Sequence, residues 1–252
     1  MLYLEHAGAA PDEAIILPLD PRAGGAAPLA RVWRGNTLHL DRTTLERFAG
    51  ATLLINSGSL AGDLRQLNPR NWMGGGVARL VEHLASLCGD LMQLGMRLLI
   101  EPCSRHVLHD AHTTAAFLRE HREEHLGLAL NPTALFEPSM MDHREDHLFR
   151  IAEALAPIAS ALILADAAPD ASGENLDPAD LGAGAFDPCE TLRIVLEAMG
   201  AAEATTQAVA ARSRRLDRAA GMPVVLRRAP GGALGASLIS EVQRLLESPS
   251  VY

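Results

Sequence analysis

Aromatic side chains are scarce: five Phe, two Tyr and two Trp make up 4% of 252 residues. Platforms that stack bases or sugars on aromatic rings are therefore disfavoured, and most of the core has to come from Ala, Leu, Ile and Val. Cysteine is also rare. Cys88, Cys103 and Cys189 are an odd set without a closely spaced pair, which argues against a disulfide framework and for a reducing, cytoplasmic compartment. No apolar run approaches the ~18 residues of a membrane span. The first twenty residues, MLYLEHAGAAPDEAIILPLD, carry acids early and lack the basic and apolar regions of a secretory signal. Positive charge is in deficit. Against 31 acidic residues stand 22 basic ones, a formal charge of −9, so nucleic acid is not expected as a partner.

What remains is globular, with 48% hydrophobic and 21% charged residues. The length suits one α/β barrel of ~250 residues or two small domains. From about residue 50 short apolar runs alternate with helical patterns, the rhythm of a parallel sheet with helical crossovers. Strands are expected at 52–56, 97–101, 126–130, 161–165 and 222–227. Helices are expected at 77–94, 112–124, 146–156, 188–199 and 234–247. The helix at 77–94 has apolar residues at Val77, Leu80, Val81, Leu84, Leu87 and Leu91, spaced by three and four, and Gly95 ends it. Asp187 is placed to cap the helix that opens at Pro188. Residues 1–50 offer two strand patterns, at 2–5 and 14–19, but too few residues lie between them for a crossover helix. The Arg-rich run at 212–218 reads as a solvated helix face.

If the strands share one direction, the first polar residues beyond their apolar runs gather on a common face, where such folds carry their ligand sites. Those residues are Asn56, Glu101, Asn131, Asp166 and Arg227. Strand ends must turn polar as the chain surfaces, so each taken singly has a purely structural explanation.

Several segments in order then carry a resemblance. They are Leu-Leu-Ile-Asn-Ser-Gly58, Leu-Gly-Met-Arg-Leu-Leu-Ile-Glu-Pro102, Gly-Leu-Ala-Leu-Asn-Pro132, Ala-Leu-Ile-Leu-Ala-Asp166 and Leu-Gly-Ala-Gly-Ala-Phe-Asp187. Over about residues 50–247 the chain resembles the xylose-isomerase-like barrel family of sugar and sugar-phosphate isomerases and epimerases. The resemblance implies a single (β/α)8-type TIM barrel over residues 1–252, irregular or shortened across the first ~50. That family holds a divalent metal on Glu, Asp, His and Glu. Here only Glu101 keeps a ligand position; Asn131, Ile163 and Arg227 stand at the other three, and Ala134 stands where a further histidine belongs. One carboxylate and one amide hold Mg²⁺ or Mn²⁺ poorly and a guanidinium repels it. The family's metal site is therefore expected to be absent, and no cofactor is assigned.

Two functional readings follow. In one, Glu101 is a general base, Arg227 is the electrophile or anion clamp, and Asp166 orients a hydroxyl, holds Arg227 or serves as partner acid. Asn56, Trp72, His106, Asn131 and Arg228 would contact a small, hydroxylated, anionic or sugar-like carbonyl compound. In the other reading the barrel has lost its chemistry and binds a metabolite or a protein, and a pair between Glu101 and Arg227 merely neutralises its interior. A homo-oligomer or a protein partner stays open.

The remaining signals are weaker. His106, His109 and His112 could ligate a transition metal beside Glu101, or belong to a polar loop. His121 and His125 match a zinc-protease spacing but end a helix on the opposite, stability face. His143 and His147 sit among charges at a helix start. Trp72 and the glycines at 74–76 suggest a mobile lid over a ligand. Pro230, Gly231 and Gly232 beside Arg227 and Arg228 suggest an anion pocket.

Overall fold

A computed structural model describes residues 1–19, 27–121, 125–204, 222–232 and 234–247. Among the described residues eight strands form a closed barrel and two more form a separate two-stranded sheet. The described residues pack as two compact units, one from Glu5–Ala129 and one from Met1–Leu4 with Leu130–Tyr252.

In the first unit, β3 (Ala30–Trp33), β4 (Thr52–Asn56), β5 (Arg97–Glu101) and β6 (Leu126–Leu130) run parallel. Strands β4, β5 and β6 have the bounds expected from their apolar runs. The opening of the chain is irregular, as expected, with two strands and no crossover helix between them. After β1 (Leu2–Ala7) the chain turns back through a tight connection, with Gly8 N–H donating to Glu13 O at 2.9 Å, into β2 (Glu13–Pro18). Strand β2 then runs antiparallel to β3. A reversed strand needs only a short turn, which is how the chain fills the barrel's first quarter without a crossover helix. Strand β3 and the short helix α1 (Arg42–Glu46), capped by Asp41, were not legible in the sequence.

Helix α2 (Gly74–Gln93) and helix α3 (Ala111–Glu120) cover one face of this sheet. Leu80, Leu87 and Leu91 of α2 and Phe117 of α3 pack with Leu53 and Ile55 of β4 and Leu98 and Ile100 of β5. Burial of each such side chain contributes about 1.5–3 kcal/mol. Because successive strand residues alternate in direction, Leu54 and Leu99 face away from the helices, as do Asn56 and Glu101 two residues on. Asp110 caps α3 by accepting from Thr113 N–H at 2.6 Å. Residues 122–124, in the middle of the zinc-protease-like pattern, lie outside the described residues, as does the Arg-rich run at 212–218.

In the second unit, β10 (Val224–Leu226) lies between β1 and β7 (Ala159–Leu164), parallel to both. Helices α4 (Arg144–Leu155), α5 (Pro188–Ala204) and α6 (Ala236–Glu247) pack in sequence, α4 on α5 and α5 on α6. The long segment beyond β7 is not an open loop. It forms an antiparallel hairpin of β8 (Asp166–Pro169) and β9 (Leu176–Ala179). Asp187 caps α5 as expected, accepting from Cys189 N–H at 2.7 Å. Among the described residues no helix is long and apolar enough to cross a membrane.

Candidate functional site

In the first unit the ends of β4 and β5 lie side by side, with Asn56 and Glu101 as register partners. The amide of Asn56 serves the backbone around it. Its Oδ1 accepts from Gly58 N–H at 2.9 Å and Thr37 N–H at 3.3 Å, and its Nδ2 donates to Gly35 O at 2.6 Å. Asn56 therefore fixes the loops that follow β3 and β4. Glu101 shares the face turned from the helices and is half-buried.

His106 follows five residues later and is 7% exposed. Its Nε2 meets Leu64 O at 3.3 Å, an acceptor, so Nε2 carries the proton. Its Nδ1 is buried and has no hydrogen-bond partner. Burial depresses the imidazole pKa, while the Leu64 carbonyl and the charge of Glu101 pull the other way. His106 thus presents a buried lone pair at Nδ1, within the electrostatic reach of Glu101.

The loops after β4 and β5 are stapled together. Asn71, fully buried, accepts from Leu60 N–H at 2.7 Å and donates to Ser59 Oγ at 2.9 Å and to Arg105 O at 2.7 Å. Trp72 donates from Nε1 to Ser104 O at 3.0 Å and stacks obliquely on His109. The expected lid is corrected here. Gly74, Gly75 and Gly76 form the first turn of α2, and Trp72, though 41% exposed, is tied to the neighbouring loop.

Two residues with site potential went unnoticed in the sequence. Arg34, immediately beyond β3, pairs with Glu5 of β1; the Glu5 side chain is 4% exposed and that of Arg34 50%. Glu5 was already read as the last residue of a strand, so the strand-end rule applied to the others would have found it. Arg34 was hidden because β3 was not recognised.

In the second unit, Asp166 is 3% exposed and its carboxylate accepts four backbone N–H groups. Oδ1 takes those of Ala167 (2.8 Å) and Phe186 (2.9 Å), and Oδ2 those of Gly182 (3.0 Å) and Gly184 (2.9 Å). The Gly-x-Gly spacing follows from this cradle. Gly182 has φ +82°, and a Cβ on Gly184 would run into the Asp166 carboxylate and Ala167 O. Asn131, also buried, accepts at Oδ1 from Thr133 Oγ at 2.7 Å. Arg227 donates its backbone N–H to Leu164 O at 2.9 Å as β10 ends. Arg228 is exposed and donates to Gly232 O at 3.2 Å. The Asp180 carboxylate abuts Gly232. A negative group already in contact with the 230–232 turn makes it a poor anion pocket, which corrects that expectation.

The positions at which the sequence resemblance implies metal ligands hold Glu101, Asn131, whose amide oxygen accepts from Thr133, the buried aliphatic Ile163 and Arg227. This set does not suit a divalent cation. Among the described residues no three His, Cys, Asp or Glu side chains group to hold one, and that includes His106, His109 and His112.

No family model matches the sequence, and no curated protein matches it. Solved structures do match. A xylose isomerase-like TIM barrel protein from Mycobacterium smegmatis, in complex with magnesium, aligns at 13% identity over 82% of this chain and 63% of its own, with a TM-score of 0.47. A D-psicose 3-epimerase in the presence of D-fructose aligns at 17% identity over 76% of this chain and 54% of its own, with a TM-score of 0.42. A D-tagatose 3-epimerase-like protein aligns at 10% identity over 86% of this chain and 73% of its own, with a TM-score of 0.48. All three alignments have TM-scores below 0.5, and the chain spans less than two thirds of the length of the first two proteins.

Proposed function

We infer that the protein is an isomerase or epimerase that moves a proton on a small hydroxylated carbonyl compound, with side chains taking the part of a divalent metal. The observation that carries this reading is the presence, in one unit, of a half-buried carboxylate at a strand end, Glu101, and five residues on a buried imidazole, His106, whose Nδ1 has no hydrogen-bond partner. Glu101 would take the proton from the carbon beside the carbonyl. The C–H electron pair becomes the C=C bond of an enediolate as the carbonyl π pair moves onto oxygen. Returning the proton to the neighbouring carbon gives an isomer; an epimer forms when a second acid protonates the other face of the same carbon while Glu101 keeps the first proton, both groups then exchanging with solvent. His106 Nδ1, a lone pair without a partner, is suited to accept and return the hydroxyl proton that accompanies isomerisation.

Asp166 has no spare lone pair for this chemistry, and its proposed role is to shape the 181–187 loop. Arg227 keeps its proposed role toward an anionic ligand. A thermal-shift comparison with sugar acids tests it, since Arg227→Ala should abolish any stabilisation they give. The commitment of Asn56, Asn131 and Asp166 to structural hydrogen bonds favours the second reading, a barrel that binds without turnover. A screen of free ketoses, sugar acids and sugar phosphates by proton NMR, with EDTA present, separates the two. The enzyme reading expects a new isomer or epimer from at least one of them; ligand stabilisation without any product would sink it.

A further inference from the structure

An enediolate needs a positive group at its oxygen, and in the first unit β3 supplies one. Val32 of β3 is paired with Leu54 of β4, and Leu54 with Leu99 of β5. Arg34, Asn56 and Glu101 lie two residues beyond these three, so the alternation of strand side chains turns all of them to the face away from α2 and α3. Trp33, between Val32 and Arg34, packs in the cluster on the helix side, as the same alternation requires. The backbone of Arg34 is fixed by its N–H donating to Asp12 O at 2.8 Å.

We propose that Arg34 is the electrophile of this site, its guanidinium donating hydrogen bonds to the carbonyl oxygen of the substrate as that oxygen becomes an oxyanion. The juxtaposition supports this in three ways. Adjacent strands lie about 4.8 Å apart, so the backbones at Arg34 and Glu101 stand about 10 Å apart, with Asn56 between them. The Arg34–Glu5 pair is asymmetric: the carboxylate is buried and the guanidinium half-exposed. Glu5 thus holds the cation from its buried side and leaves outward N–H donors for a ligand, with the rotamer set beforehand. Finally, fixed donors aimed at developing charge supply the stabilisation that a metal otherwise gives.

The inference rests on Glu101 as base, and the test separates the two. Glycolohydroxamate, a planar analogue of a two-carbon enediolate, is titrated calorimetrically into the full chain. Saturable binding to the parent protein is expected, at least about tenfold weaker binding to Arg34→Gln, and partial recovery in Arg34→Lys. Because Arg34→Gln removes the ion pair to the buried Glu5, the Arg34→Gln/Glu5→Gln variant is titrated as well, with circular dichroism to confirm folding, and should bind as poorly. Equal affinities in the parent and both Gln variants, or no binding to the parent, overturn the proposal. Turnover that survives Glu101→Gln, with the Arg34 dependence of binding intact, overturns the base assignment instead.

Discussion

Replacing Asp166 by Asn keeps the shape of the side chain but sets an NH₂ group against two backbone N–H donors. Two buried donors lose their acceptor, so Asp166→Asn is expected to lower stability by about 2–3 kcal/mol in urea denaturation. His106 links stability to pH. Its folded pKa lies below the ordinary value of about 6.5, so on acidification the unfolded chain takes up the proton first. Stability is therefore complete above that value and declines as pH falls from it toward the lower folded value. The slope contributed by one such proton is at most about 1.4 kcal/mol per pH unit, and His106→Gln should remove it, leaving the parallel contribution of His83. Cys189 is the converse of a reactive thiol. Burial, then the charges of Asp187 and Glu241, push its pKa up to about 11. Iodoacetamide at pH 8 is expected to leave Cys189 unmodified when mapped by peptide mass spectrometry, and rapid labelling would refute this.

At the scale of elements, the β4 and β5 loops act as one piece because Asn71 ties them. Asn71→Ala leaves Leu60 N–H and Arg105 O without their partner, at a cost of about 1–3 kcal/mol. Hydrogen exchange should accelerate at residues 58–72 and 103–109 together; acceleration confined to one loop would contradict the staple. The sequence displays the elements built on strong apolar periodicity. Thr52–Asn56, Arg97–Glu101 and Leu126–Leu130 are continuous apolar runs ending in turns, so their bounds are visible. Ala30–Trp33 is four residues with two polar-or-aromatic interruptions, and its partner β2 runs in the opposite direction, so no βαβ rhythm announces it. The glycines at 74–76 misled because glycine disfavours helix, yet the packing of Leu80, Leu87 and Leu91 extends α2 through them. Strand-end polarity located Glu101 and Asp166, but not that the second is surrounded by main-chain donors from a loop sixteen to twenty residues away.

For the molecule as a whole, the barrel is closed with one reversed strand where a crossover unit would ordinarily stand. The proposed chemistry lies in the unit that contains this economy and uses groups from β3 to β5 and the loop after β5. The proposed activity should persist without an added divalent ion, because the positions at which the sequence resemblance implies metal ligands hold one carboxylate among four. The most direct measurement is solvent exchange: a substrate found in the screen is incubated in D₂O with EDTA and deuterium is followed by proton NMR. Incorporation at the carbon beside the carbonyl is expected with the parent protein and a loss of at least about a hundredfold with Glu101→Gln. Exchange unchanged in Glu101→Gln, or isomerisation that incorporates no deuterium and stops with EDTA, would contradict a Glu101-centred proton transfer.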